Sequence, residues 1–459
     1  MGSTRIFGTD GIRGKAGTGW LSEERVSALG RAVGTTHLGH AQTPDGYERP
    51  QALLGHDGRE SGPVLQSALA RGLVAAGWDV VSAGLISSPG LALLTRSMHF
   101  SLGLMLSASH NPAQDNGIKV FSGVGGKLSD EEELAIEALL RAELEPATTP
   151  VDVRVDPQLE ENYRQYLIGH AAKGLDLSGL RLIIDCANGS GSHYAPLVLE
   201  SLGASVHAMY ASPDGKNINA GCGSTHPENL QEEVVRRNAH AGIALDGDAD
   251  RCMLVDEKGV LIHGDGILTM IARDAMQTGR WETPRLVATV MSNRGLHKAL
   301  DEVGVSVQEC GVGDRSVVEA LRKDKLPVGG EQSGHIIFGD DIHYIGDGLY
   351  TALRVLAVLQ RAQKPLSELA APYQPYPQVL LNMPVDSKPA LDGLPQVLAL
   401  VKVVEKELAG EGRVLLRYSG TESLARVMVE GPHEAIIHEQ AQRIADCLKA
   451  EIAALGSQA

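Results

Sequence analysis

Apolar and polar positions along the chain fall into a plan that recurs three times. Each copy has an apolar strand, a loop of small residues, an amphipathic helix ending at glycine, and a second strand. The first copy runs through Ala52-Leu53-Leu54-Gly55-His56, then Leu65, Leu69 and Leu73 at helical spacing, then Gly77 and Asp79-Val80-Val81. The second runs through Leu182-Ile183-Ile184, a helix from about Tyr194 to Leu202, Gly203 and Ser205-Val206-His207. The third runs through Leu286-Val287-Ala288-Thr289-Val290, a helix with Leu296 and Leu300, Gly304 and Val305-Ser306-Val307. Each terminal glycine suits the left-handed position that closes a helix. Strand, helix and strand of this length form a crossover, so each copy predicts parallel sheet. The recurrence predicts three related α/β domains, with one large doubly wound sheet as the alternative.

The plan changes after Ala370-Ala371-Pro372-Tyr373-Gln374-Pro375-Tyr376-Pro377, a proline-rich stretch that reads as a linker. Beyond it the pattern predicts a helix near 394–408, strands at 413–416 and 425–429, and a last helix near 434–455. These make a small α+β domain. The division is then 1–155, 156–262, 263–372 and 373–459.

Composition narrows the function. With 41 Lys plus Arg against 57 Asp plus Glu, the net charge is −16, which disfavours nucleic-acid backbones as partners. The 53 glycines and 4% aromatics favour an α/β enzyme with many exposed loop amides. The five cysteines include no CxxC pair, so neither a disulfide framework nor a zinc knuckle is indicated. The N-terminus lacks an apolar signal core and no long apolar run occurs, so the expectation is a cytoplasmic protein without membrane contact.

Four loops carry chemistry. Leu245-Asp246-Gly247-Asp248-Ala249-Asp250-Arg251 follows an apolar strand. Its three carboxylates, at alternate positions of an extended chain, would project to one side and suit Mg²⁺ or Mn²⁺. A solvated acidic turn is the plain alternative. An EF-hand fails because Arg251 stands where that loop needs glycine. Ser107-Ala108-Ser109-His110-Asn111-Pro112 follows the strand 102–106, and strand ends carry active-site groups in parallel sheets. An ordinary Ser/Asn turn is its alternative. Lys119 lies nearby in sequence as a source of positive charge. Gly329-Gly330-Glu331-Gln332-Ser333-Gly334-His335 offers Glu331 and Ser333 to sugar hydroxyls, with His335 to orient a phosphate or act as an acid. Arg417-Tyr418-Ser419-Gly420-Thr421-Glu422-Ser423 has the composition of a phosphate cradle, with Arg426 as a second cation, or is a plain hairpin turn. Gly8-Thr9-Asp10-Gly11-Ile12-Arg13-Gly14 is a further glycine-rich loop with one cation. Walker A is absent, and Gly311-Val312-Gly313-Asp314-Arg315-Ser316 breaks the dinucleotide pattern at its last position.

Ordered as they are, these loops resemble those of the α-D-phosphohexomutase superfamily, over essentially the whole chain. The closest similarity is to bacterial members that act on a hexosamine phosphate, on the stretches Phe7–Gly14, Asp115–Lys119, Asp185–Gly189, Pro213–Asn219 and Cys222–Glu228. The resemblance implies three mixed-sheet α/β domains and a C-terminal α+β domain, of the TATA-box-binding-protein-like kind, around a central cleft. It implies that Ser109 is phosphorylated, and that Asp246, Asp248 and Asp250 hold Mg²⁺ together with a phosphoserine oxygen. Arg13, His110, Lys119 and Arg251 would serve the transfer, and Glu331, Ser333 and His335 the sugar. Arg417, Ser419, Gly420, Thr421 and Arg426 would clamp the phosphate not being transferred. Lys119 and His335 are the candidates for general acid/base. Family members are often dimers, which makes a homodimer one expectation. Glucose or mannose phosphates are the alternative substrates, and a non-catalytic sugar-phosphate sensor is the alternative of another class. Tyr418 and Ser423 depart from the prolines common in the family's phosphate loop.

Overall fold

The computed structural model describes residues 5–44, 46–142, 144–339, 344–418 and 423–456. The chain divides into two compact units, one of residues 1–292 with 302–372, the other of residues 293–301 with 373–459.

The first unit holds three separate sheets, which excludes a single doubly wound sheet. The first sheet is ordered Ile12–Lys15, Asp115–Ser122, Leu102–Leu106, Gln51–His56, Asp79–Leu85, Arg154–Val155. The second is ordered Leu261–Ile262, Cys252–Asp256, Ala241–Leu245, Arg181–Asp185, Ser205–Met209. The third is ordered Ser306–Cys310, Arg285–Thr289, Val328–Gly330, Ile336–Phe338. The expected crossovers are present. Gln51–His56 pairs parallel with both Asp79–Leu85 and Leu102–Leu106, and the equivalent strands of the other two sheets do the same.

The sheets are nonetheless mixed. In each, a further strand returns antiparallel beside the third parallel one. The reason lies in the connections: residues 107–114, 246–251 and 331–335 are too short for a crossover, which takes a dozen residues or more. These three hairpin corners are the serine, aspartate and glutamate loops. All three chemical loops therefore occupy the same topological position in three copies of one unit.

Local sequence explains why the corners are well held. Leu102–Leu106 and Ala241–Leu245 are buried along their whole length, as fits strands paired on both edges and covered on both faces. The helix Gly62–Ala75 has proline in its first turn, buries Leu65, Leu69 and Leu73, and stops before Gly77 at φ +93°. Gly203 takes the same left-handed position, φ +95°, after the helix Gly191–Ser201. The helix Asp130–Arg141 opens on a capping box between Ser129 and Glu132.

The second unit is an antiparallel sheet ordered Gln378–Pro384, Leu424–Glu430, Arg413–Tyr418, with helices Pro395–Glu407 and Glu434–Gly456. Val397, Val404, Val427, Val429, Ile437, Ile444 and Leu448 form its core. The strand 378–384 is not anticipated by the sequence reading, because Pro375, Pro377 and Pro384 bracket it. It is an edge strand, where proline is tolerated. The helix Arg294–Asp301, although it connects two strands of the third sheet, is grouped with this unit.

Candidate active site

The aspartate loop converges by turning. In an extended chain Asp246 and Asp250 would stand about 13 Å apart at roughly 3.3 Å per residue. Instead the Ala249 N–H donates to the Asp246 carbonyl at 3.0 Å, and Ala249 takes φ +56°. Carboxylate oxygens of Asp246, Asp248 and Asp250 then lie within 4.8 Å of one another, all buried. At an effective dielectric of about 20, each charged pair at that distance repels by roughly 3 to 4 kcal/mol. Burial, then Asp250 and Asp248, push the Asp246 carboxyl well above its usual range. Burial also acts to raise Asp250, but Lys119, His335 and Arg251 outweigh it and bring that carboxyl down to about 2.

Two observations fit this trio to a divalent cation. Asp248 Oδ1 and Asp250 Oδ1 are buried and have no hydrogen-bond partner among the described residues. Hard carboxylate oxygens are also the donor set that Mg²⁺ takes.

Ser109 belongs to the first sheet's corner and meets the trio of the second. Its Oγ donates to Asp246 Oδ2 at 2.6 Å, and the residue is buried. Ser109 sits at φ +52°, a left-handed conformation that costs a non-glycine residue about 1–2 kcal/mol. The Ser109 N–H donates to Ser107 Oγ at 2.8 Å. Close approach of the two corners depends on Gly247. A Cβ there would meet the Ser109 carbonyl oxygen at 2.6 Å.

Lys119 Nζ donates to Asp248 Oδ2 at 2.7 Å and Asp250 Oδ2 at 3.2 Å, and pairs with Asp10 Oδ2 at 3.1 Å. Burial opposes the charged form, yet Asp10, Asp248 and Asp250 hold the ammonium far above its ordinary range. It is a fixed cation, which counts against its use as a general base. Arg13, opposite Gly117 in the neighbouring strand, pairs with Asp10. The Arg251 N–H donates to Asp246 Oδ1 at 3.2 Å, and Arg251 Nε lies 3.9 Å from Asp250 Oδ1. His110 lies among these charges. Burial, Arg251 and Arg13 depress its imidazole to about 4, so it is neutral near pH 7.

The third corner joins through backbone. The Cys252 N–H donates to the Gly334 carbonyl at 3.0 Å and the Gly264 N–H to that of Gln332 at 3.0 Å. His335 Nδ1 thereby lies 3.8 Å from Asp250 Oδ1, while its Nε2 accepts from the Gly346 N–H. Glu331 Oε1 accepts from the Gly313 N–H at 3.0 Å, and Ser333 Oγ donates to Glu331 Oε2 at 3.3 Å. In the second unit, Arg417 and Arg426 face each other as a cross-strand pair, and Tyr418 closes its strand opposite Ala425. Ser419, Gly420 and Thr421 lie outside the described residues.

Several contributors have no motif to announce them. Asp10 and Lys127 pair, and Lys127 Nζ reaches Asp314 Oδ2 at 2.6 Å. This extends an alternating run of charges from the aspartate trio through Lys119 to the third domain. Ser88 Oγ donates to Asp248 Oδ2. Asn219 Nδ2 donates to the Ser109 carbonyl at 2.9 Å, and Arg59 Nη2 to the same oxygen at 2.8 Å. For Asn219 the signal was its place in the stretch 213–219. For Arg59 there was none.

Among the described residues no helix is long and apolar enough to cross a membrane. Comparison with known proteins is consistent along the chain. Sequence models of the phosphoglucomutase/phosphomannomutase family match as alpha/beta/alpha domain I over residues 4–147, domain II over 161–259 and domain III over 263–376, and as the C-terminal domain over 380–447. A phosphoglucosamine mutase of Symbiobacterium thermophilum is 46% identical over 98% of this chain and 99% of its own. One of Myxococcus xanthus is 44% identical over 97% of each. Among solved structures, a phosphoglucomutase/phosphomannomutase family protein of Burkholderia thailandensis superposes with a TM-score of 0.78 at 24% identity, covering 97% of both chains. The N-acetylphosphoglucosamine mutase of Aspergillus fumigatus, solved with GlcNAc-6P and magnesium, superposes with a TM-score of 0.70 at 18% identity, covering 97% of this chain and 96% of that one. The chain belongs to the phosphoglucomutase/phosphomannomutase family of the α-D-phosphohexomutases.

Proposed function

We propose that the chain interconverts glucosamine 6-phosphate and glucosamine 1-phosphate through a phosphorylated Ser109 and a 1,6-bisphosphate. The observation that carries this reading is the 2.6 Å hydrogen bond from Ser109 Oγ to Asp246 within a buried aspartate trio. The relatives named phosphoglucosamine mutase support the choice of substrate.

In this reading phospho-Ser109 gives its phosphoryl group to the sugar's O1, breaking the Ser109 Oγ–P bond and forming the O1–P bond. The bisphosphate turns around, and the phosphoryl group on O6 returns to Ser109 Oγ. Mg²⁺ held by Asp246, Asp248 and Asp250 supplies charge neutralisation when bound. Lys119, Arg13 and Arg251 add fixed positive charge where phosphoryl oxygens gather. The proton lost by the sugar hydroxyl ends on Ser109 Oγ as its bond to phosphorus breaks, and His110, neutral near pH 7, lies beside the serine without adding a resting cation to those of Arg13 and Arg251. Glu331 and Ser333 accept and donate to sugar hydroxyls, and His335 is oriented by the Gly346 amide. The family's phosphate clamp maps onto Arg417, Ser419, Gly420, Thr421 and Arg426. We keep the domain limits 1–155, 156–262, 263–372 and 373–459, and a cytoplasmic site of action, as parts of the same proposal.

The test is turnover of glucosamine, glucose and mannose 6-phosphates by the wild type and by Ser109→Ala. The reading expects glucosamine 6-phosphate to have the highest kcat/KM, and the variant to lose activity on it. Retained activity in Ser109→Ala would refute the nucleophile, and faster turnover of mannose or glucose phosphate the substrate.

A further inference from the structure

Arg59 is 1% exposed, although arginine is almost never fully buried unless paired. Every N–H of its guanidinium has an acceptor. Nε donates to Asp57 Oδ2 at 2.8 Å. Nη1 donates to the carbonyls of Pro112 and, at 2.9 Å, Asp115. Nη2 donates to the carbonyls of Ser109 at 2.8 Å and Asn111 at 3.0 Å. A guanidinium has five donors in a fixed plane; three of these five close on the loop that carries Ser109 and a fourth on Asp115, the first residue of the strand after it. Asp57, itself fully buried, anchors the fifth.

The arrangement answers a specific need. Ser109 is held in a left-handed conformation that its Cβ disfavours, and that conformation accompanies an Oγ aimed at Asp246. The carbonyls of Ser109 and Asn111 each accept from Arg59 Nη2 and also from Asn219 Nδ2, the latter at 2.9 and 3.1 Å. Asn219 belongs to the second sheet's domain, so the loop is tied to both domains that meet at the site. A helix-stabilising role does not account for Arg59. It lies just before the N-terminus of the helix Gly62–Ala75, where the helix dipole disfavours a cation. Gly58, at φ +101°, supplies the sharp turn between anchor and guanidinium.

We propose that Arg59, anchored by Asp57 and sharing its acceptors with Asn219, is a positioning residue that holds the Ser109 loop in its transfer-competent conformation. With every guanidinium N–H already engaged by a protein acceptor, it acts through the loop backbone. The proposal rests on the transfer role assigned to Ser109 above. Lysine at this position keeps the charge beside Asp57 but cannot span four carbonyls.

The experiment uses full-length Arg59→Lys and Asn219→Ala, loaded with Mg²⁺. Turnover of glucosamine 6-phosphate is measured alongside hydrogen exchange of peptides covering residues 107–117. In Arg59→Lys, kcat falls about 100-fold while KM stays within threefold. Exchange rises in residues 107–117 but not in the strand 102–106. In Asn219→Ala the same signature appears at about tenfold. A buried charge needed only for folding would lower the melting temperature and leave kcat of the folded protein alone. A folded Arg59→Lys within threefold of wild-type kcat overturns the proposal. Should that variant not fold, Asn219→Ala decides, and wild-type kcat with unchanged exchange overturns it. If the wild type turns over no glucosamine 6-phosphate, the functional reading fails separately. Exchange alone then decides whether Arg59 orders the loop.

Discussion

Gly247→Ala probes the contact on which the proposed chemistry depends. The added methyl would stand 2.6 Å from the Ser109 carbonyl oxygen, and 2.9 Å from both Asn219 Nδ2 and Ile218 Cδ1. Non-bonded contacts of this kind settle near 3.4 Å or beyond, so the aspartate and serine corners must part by roughly 0.8 Å. Arg59 Nη2 and Asn219 Nδ2 already hold the Ser109 carbonyl, so the displacement strains those bonds and the distance from Ser109 Oγ to the trio. Misplacement by about 1 Å costs on the order of 100-fold in rate. A fall in kcat of about 30- to 100-fold is therefore expected, or about 2 to 3 kcal/mol of transition-state stabilisation. The assay is steady-state turnover of glucosamine 6-phosphate at saturating Mg²⁺, with intact mass reporting phosphoserine. Gly169→Ala, where nothing lies within 4 Å of the new methyl, is the control. A Gly247→Ala enzyme within threefold of wild type would refute the reasoning, because the corners could then separate without consequence.

Three further outcomes follow from the same geometry. Mg²⁺ at 100 times its Kd should stabilise the wild type by about 2.7 kcal/mol, read as a rise in melting temperature, and Asp250→Asn should abolish most of that rise. An equal rise in the variant would remove Asp250 from the cation site. In metal-free protein, the His110 imidazole should titrate near pH 4 by NMR. The unfolded chain binds that proton near pH 6.5, so His110 contributes stability above pH 6.5 that is lost as pH falls toward 4. A midpoint near 6.5 would show that burial, Arg251 and Arg13 do not act on it as described. Gly334→Ala, whose methyl would lie 2.3 Å from the Cys252 carbonyl oxygen at φ +86°, should raise KM for the sugar phosphate severalfold with phosphoserine content unchanged. An unaltered KM would separate the third corner from sugar binding.

The helix–strand repeats and the chemical loops were legible because their signals are local. Leu65, Leu69 and Leu73 announce a helix face, and three aspartates in five residues announce a charge problem that needs a cation. The geometry by which the aspartates meet was not legible. Alternation suggested one side of an extended chain, and the small Gly247 and Ala249 allowed a tight fold; the structure uses a turn with Ala249 left-handed. Arg59 was invisible for a different reason. Apart from Asp57, it binds backbone carbonyls, which every residue possesses, so no residue type marks the serine loop as its partner. The Asp10–Lys127–Asp314 contacts join residues more than a hundred positions apart, which periodicity cannot report. The strand 378–384 was hidden by flanking prolines that an edge position tolerates.

The shared hairpin corner of the three sheets makes the site modular. Each of these three loops is held at both ends by strands of its own sheet, which are paired with each other and buried almost throughout. Substitutions within residues 331–335 that keep Gly334 and the backbone bonds to Cys252 and Gly264 therefore leave the buried strands 328–330 and 336–338 intact. A change in one corner is nonetheless felt by the others, through the contacts of Ser109 with Asp246 and of Gly334 with Cys252.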